Sequence, residues 1–168
     1  MMLRNLKEKD APLMLEWMHD EDVVHFLKAD FAHKTISDCN HFINSASDHT
    51  ENFHMAVVDE QDTYMGTVSL KNIHDGSAEF AIIMRKIAMG RGFAAEAMKG
   101  IIAKGFDELK LQSVYWCVSP DNKRAVRFYD KNGYSRVDPS ALDIPNRGGY
   151  NAEEISYYIW YKMESEHN

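Results

Sequence analysis

The chain has few of the residues that would mark it as secreted, membrane-bound or strongly basic. Only two cysteines occur in 168 residues, Cys39 and Cys117, at no metal-ligand spacing and beside no catalytic partner motif. A disulfide between them is disfavoured in a reducing compartment, so both read as core residues. No apolar run approaches the roughly 20 residues of a membrane span, and the opening MMLRNLKEKD is charged where a signal peptide would be apolar. These absences predict a cytosolic protein with no membrane partner. Basic residues are also scarce, 19 against 26 acidic, and the net charge of −7 argues against a nucleic-acid partner. The eight histidines are scattered and none sits at a metal spacing from another ligand, so no metal is predicted. There is no internal repeat and no low-complexity tract.

What is present suits one filled core. At 45% hydrophobic and 27% charged, the chain is expected to form a single domain over residues 1–168. Its charge is uneven: residues 1–84 carry 6 basic and 15 acidic side chains, residues 85–131 carry 10 basic and 5 acidic. A positive middle in an acidic chain suits an anionic ligand there, or a set of solvated helix faces.

Met2 to Leu6 reads as a strand, and Asp10 as the N-cap of a helix over Ala11 to Met18 with Pro12 in its first turn. A second helix is predicted from Ser37 to Ser47. Phe53 to Val58 and Tyr64 to Leu70 form a hairpin about Asp59 to Asp62, and Asp75-Gly76 turns the chain into a third strand, Ala78 to Met84. The period then changes from 2 to 3.6: Phe93, Ala97, Ile101 and Gly105 form one helical ridge, Ala94, Met98, Ile102 and Phe106 the next. A strand over Ser113 to Val118 follows, then a helix from Asn122 to Asn132 closed by Gly133. Tyr134 to Val137 begins a strand, Pro139 to Gly149 reads as a loop, and Glu154 to Met163 alternates as a last strand. The order β-α-α-β-β-β-α-β-α-β-β predicts an α/β (α+β) fold, a mixed sheet with helices on both faces.

The strongest chemical signal is AEFAIIMRKIAMGRGFAAEAM, residues 78–98. Gly90 and Gly92 permit a tight turn into a helix whose first N–H groups lack partners, a natural place for a phosphate, with Arg85, Lys86 and Arg91 adding charge. A Gly-x-Gly-x-x-Ala run also fits a dinucleotide-binding turn, or mere close helix packing. Against the former, five residues separate Met84 from Gly90, no acidic residue ends a strand about 20 residues on, and three strands precede the turn. A P-loop fails because no Gly-Lys-Ser/Thr follows. The second element is VSPDNKRAVRFYDKNGY, residues 118–134, in which Asn122, Val126 and Tyr129 share one side of a helix.

Together these segments resemble the acetyl-CoA-binding core of the GNAT acetyltransferase superfamily, nearest its spermidine and ribosomal-protein alanine N-acetyltransferase branches, with which they share the Ala-Glu-Phe strand, the glycine turn and the Asn-x-x-Ala-x-x-x-Tyr helix. One departure is Ile87, where the family often has Gln or Arg. The resemblance implies a mostly antiparallel sheet of about seven strands, splayed between the fourth and fifth. It implies acetyl-CoA as co-substrate, with pantetheine along Ile82, Ile83 and Met84 and pyrophosphate at Met89, Gly90, Arg91, Gly92, Phe93 and Ala94. Asn122 would contact pantetheine, Lys131 would approach the adenosine end, Tyr129 would be the general acid facing sulfur, and a backbone N–H near Met84 would hold the oxyanion.

Glu79, at the head of the strand, is the candidate general base; an exposed strand-end carboxylate is the plainer alternative. Trp17, Asp20 and Glu21, with His19 and Asp22, cap the first helix and could meet a cationic or hydroxyl-rich acceptor, or form a solvated acidic turn. The expected partner is a small-molecule amine such as a polyamine or amino sugar. A protein N-terminal acetyltransferase and a non-catalytic acyl-CoA sensor are the alternatives. The aromatic-rich last strand could support a homodimer or complete the core.

Overall fold

Alternating side chains along Phe53–Val58 (β2), Tyr64–His74 (β3) and Ser77–Met84 (β4) build the predicted meander, one face toward each layer of helices. In the computed structural model, which describes residues 1–46, 48–145 and 149–166, these strands belong to a seven-stranded sheet. The others are Met2–Arg4 (β1), Ser113–Val118 (β5), Ser135–Val137 (β6) and Ile159–Glu164 (β7), in the order β1-β2-β3-β4-β5-β7-β6. All neighbours are antiparallel except β4 and β5.

Helices cover both faces. Phe93–Asp107 (α4) buries Phe93, Ala97, Met98, Ile101, Ile102 and Gly105, the two predicted ridges, against Val68, Leu70 and Phe80. Lys123–Lys131 (α5) joins the same side through Tyr129. On the opposite face Ala11–Met18 (α1) and Ile36–Ser45 (α3) enclose Met14, Trp17, Cys39 and Ile43 over Ala56, Val58 and Tyr64.

Several boundaries differ from the sequence reading for local reasons. The first strand stops at Arg4, whose guanidinium holds both oxygens of buried Asp10 at 2.8 Å and turns the chain away. Asp20 does not close α1; its side chain accepts from the Asp22 N–H and starts a separate turn of helix, Glu21–Val24 (α2). The helix predicted over Ser37–Ser47 begins one residue earlier, where Thr35 and Asp38 form a capping box, and ends at Ser45; Ser47 lies outside the described residues. The Pro139–Gly149 loop contains a 3-10 turn over Pro139–Ala141, and residues 146–148 lie outside the described residues.

The predicted strand from Glu154 to Met163 is half helix. Asn151 accepts from the Glu154 N–H at 2.8 Å while Glu154 accepts from the Asn151 N–H at 3.0 Å, a capping box that starts Ala152–Tyr157 (α6). Only Ile159–Glu164 is strand. The alternating apolar run hid this start, because Ile155 and Tyr157 fit either period when read alone.

One feature of the sheet positions the site. β4 pairs with β5 only from Ser77 opposite Ser113 to Glu79 opposite Tyr115. Beyond Glu79 the two strands part, as the resemblance implied, and the β5-facing backbone edge of Phe80–Met84 is left without a strand partner.

Candidate active site

The parting of β4 and β5 opens a cleft of about 600 Å³. Phe80–Ile83 and Trp116–Ser119 line it from the two strands, Asn122, Ala125 and Tyr129 from α5 and its N-cap, and Lys71, Glu79, Tyr150, Tyr158, Phe26–Ala29 and Phe31 complete the acceptor part of its wall. Of the residues predicted to line the coenzyme, Ile82, Ile83 and Asn122 are therefore on the cleft. Met84 is buried against α4 at its end.

Below the cleft the chain passes through a 3-10 turn, Lys86–Ala88, into Gly90 (φ 76°) and Gly92 (φ 82°), the N-cap of α4. Both glycines hold left-handed backbone, which a side chain resists. A Cβ on Gly92 would meet nothing within 4 Å, so conformation and not crowding selects glycine there, and the turn stays open to a ligand. The first intrahelical bond is from Glu96 N–H to the Gly92 carbonyl, which leaves the N–H groups of Phe93, Ala94 and Ala95 ahead of the ladder at the positive end of the helix. Met89 and Arg91 are exposed here, Ala94 is half-buried and the Phe93 side chain points into the core.

The charge around this turn differs from expectation. Arg85 is held by Glu16 at 2.9 and 3.1 Å and by the Tyr64 carbonyl, and Lys86 by Asp22, so both are turned to the α1–α2 side. Arg91 lies over the Phe93 ring at 5.0 Å. Beyond the chain neighbours of Gly90, the side chain that approaches it is instead Arg124, whose guanidinium nitrogen is 3.8 Å from the place of a Gly90 Cβ. Sequence reading counted Arg124 in the basic middle of the chain without placing it. An open glycine turn, unpaired helix N–H groups and an adjacent arginine are a donor set that fits a pyrophosphate.

Asn122 caps α5 by accepting from the Ala125 N–H at 3.2 Å while also lining the cleft. Tyr129 is 7% exposed, packed against Trp116 and Tyr161, and its hydroxyl makes no hydrogen bond among the described residues. Burial raises its pKa above the ordinary phenol value, so it is protonated at neutral pH. Lys131 faces a separate surface hollow with Pro120, Lys123 and Arg127, and the cleft does not reach it.

Glu79 is not the exposed strand-end carboxylate of the plainer reading: it is 4% exposed and accepts from the Tyr150 hydroxyl at 2.6 Å. Cys117 reaches the same hydroxyl at 3.4 Å, so this cysteine lines the cleft and Cys39 alone lies in the core as expected. Burial pushes the Cys117 thiol up to about 12 and raises Tyr150 as well, with the Glu79 charge adding to both, so both hold their protons. Across the strands Glu79 stands between Lys71 and Tyr115, whose hydroxyl is buried without a partner among the described residues.

Trp17 does not form an acceptor wall. It is 3% exposed in the core and donates to the Tyr64 hydroxyl at 2.9 Å. Asp20 and Glu21 begin α2 and do not line the cleft; the residues that do from this part of the chain are Phe26–Ala29 and Phe31. The loop from Pro139 to Tyr150 was expected to border the acceptor pocket, and Gly149 and Tyr150 do line it; Tyr158, Lys28 and Lys71 were missed. The one available signal was the Asn151-x-x-Glu154 box, which sets the helix beside Tyr150 and places Glu154 2.9 Å from Lys28.

A sheet split at a strand edge, a glycine turn beneath it and a tyrosine facing the gap define an enzyme that takes an acyl group from coenzyme A and transfers it to nitrogen. The family model of the acetyltransferase (GNAT) domain matches residues 1–135, and the chain belongs to that family. It is 25% identical over 169 residues to the uncharacterized N-acetyltransferase YnaD of Bacillus subtilis, covering 100% of this chain and 96% of that one. It is 35% identical over 68 residues to the spermidine N(1)-acetyltransferase of Escherichia coli K12, covering 40% of this chain and 36% of that one. In fold it matches the spermidine N-acetyltransferase of Vibrio cholerae in complex with CoA and spermine, at a TM-score of 0.74 and 22% identity over 96% of this chain and 92% of that one.

Proposed function

We propose that this enzyme transfers an acetyl group from acetyl-CoA to the primary amine of a small molecule by direct attack in the cleft between β4 and β5. One observation carries this reading: Glu79 and Tyr129, a carboxylate and a phenol, line the same cleft, which opens where β4 parts from β5. The turn from Met89 to Ala94, with Arg124, holds the pyrophosphate. The edge of Ile82–Met84 and Asn122 hold the pantetheine arm, which delivers a thioester.

The acceptor nitrogen forms the new C–N bond as the C–S bond breaks, and one nitrogen-bound proton must leave. Freeing an alkyl amine of pKa ~10.4 at pH 7 costs about 4 to 5 kcal/mol, whereas expelling a thiolate of pKa ~8.5 costs about 2. The base therefore matters more for such an acceptor. Glu79 has one oxygen on Tyr150 and makes no hydrogen bond through the other among the described residues, which leaves Oε1 to take the proton. Tyr129, with its raised pKa, supports the leaving sulfur chiefly by donating a hydrogen bond.

A small acceptor is favoured by the bridge over the Glu79 end. Lys28 binds Glu154 at 2.9 Å and the Gly149 carbonyl, and lies over the Tyr150 ring, tying segment 26–31 to segment 149–154. Thiol release from acetyl-CoA over a panel of amines tests the proposal. Release with small amines and none with an N-terminal peptide is expected; tight CoA binding without release for any amine would instead leave an acyl-CoA sensor.

A further inference from the structure

The acceptor end of the cleft carries unusually little negative charge for a site meant to hold a polycation. Among the described residues that line it, Glu79 is the only carboxylate, against Lys28 and Lys71. The acidic run Asp20 to Asp22 lies off the cleft. Lys28 is neutralised by Glu154. Lys71 is half-buried and makes no ion pair among the described residues, although it stands directly across the ladder from Glu79. Cross-strand partners project from one face with Cβ atoms about 5 Å apart, close enough for a pair. Glu79 is instead turned to Tyr150.

A carboxylate and an unpaired ammonium, side by side on one floor, match a molecule that carries the opposite charges side by side. A second ammonium placed beside the first would meet Lys71 and be repelled. Resting on the acyltransfer reading above, we infer that the acceptor is an amine with an anionic group next to the nitrogen, held between Glu79 and Lys71. An α-amino acid is the simplest such molecule. Phe26, Phe31 and Tyr158 supply an apolar wall for its side chain.

The acid–base chemistry agrees. The α-amine of a free amino acid, beside its own carboxylate, has a pKa between the ~8 of a peptide α-amine and the ~10.4 of an alkyl amine, so it asks less of a base at pH 7 than a polyamine does. The reaction balances as before: the α-nitrogen gains the acetyl carbon, its proton passes to Glu79, and the thiol leaves.

The test compares acceptors matched in shape and differing in the anion, each rate being corrected for the fraction of neutral amine at the assay pH. Thiol-release rates are measured for phenylalanine, phenylalaninamide and spermidine. The inference predicts kcat/KM about 10- to 100-fold higher for phenylalanine than for its amide, the size expected of one charge-assisted hydrogen bond. Lys71→Gln should collapse the ratio toward one, and Lys71→Arg should retain it. Turnover favouring spermidine or the amide overturns the inference and leaves acetyl transfer standing. No thiol release from any amine by a protein that binds CoA overturns the transfer reading itself. The wild-type ratios decide even if the Lys71 variants fail to fold.

Discussion

The proposed coenzyme side of the cleft is mostly one segment, residues 80–94, joined by Asn122 and Arg124, whereas the acceptor side is assembled from residues 26–31, 71–79, 116–117 and 149–158. The first side is made mostly of backbone: a free strand edge, two left-handed glycines and helix N–H groups. The second is made of side chains brought together from four parts of the fold. The family match ends at residue 135, before Tyr150, Glu154 and Tyr158. A backbone site tolerates sequence change and can serve a whole family, while a side-chain site can be altered one residue at a time. That difference suits a common acyl donor and a variable acceptor.

The largest effect should come from the point where the two sides meet. Glu79→Gln is expected to lower kcat by about 10²- to 10⁴-fold, the usual range for a general base, with the KM for acetyl-CoA little changed. Steady-state kinetics with each substrate varied in turn will show it. A fall shared equally by acetyl-CoA binding would break the separation of sides.

His54 probes the acceptor-face layer by stability. It is held by Ser69, and burial, with Lys71 and His49, lowers its pKa from 6.5 to about 4. The fold favours neutral imidazole, so this contribution is complete above about pH 6.5 and is lost as pH falls toward 4, amounting to about 3 kcal/mol. His54→Gln should flatten that part of the pH dependence in denaturant titrations at pH 7 and pH 4.

Tyr129→Phe should lower kcat by about 10- to 100-fold, less than Glu79→Gln, because the thiolate is the easier of the two groups to accommodate. Gly92→Ala is the mildest change. The left-handed backbone must be kept, at about 1 kcal/mol of stability, and the KM for acetyl-CoA should rise while that for the acceptor does not. Thermal melting and paired KM values measure both.

The same contrast governs what could be read from sequence. The turn at Gly90 and Gly92, the ridge of α4 and the cap at Asn122 are local patterns, and each falls within a residue or so of where the spacing put it. Glu79 was legible as a position but not as a buried group, because its burial depends on Tyr150, 71 residues away. Trp17, Asp20 and Glu21 looked like a surface cluster because they are adjacent in sequence. Helical geometry sends Trp17 into the core and the acidic pair into the next helix turn. The α6 capping box was present in the letters but masked by an alternating run that satisfied two periods.

Amide hydrogen exchange with and without CoA tests the division of the cleft most directly. The division predicts protection concentrated in residues 82–95 and 118–129, with segments 26–31 and 149–158 nearly unchanged until an acceptor analogue is added. Protection centred on 149–158 with CoA alone, or none along 82–95, would contradict it.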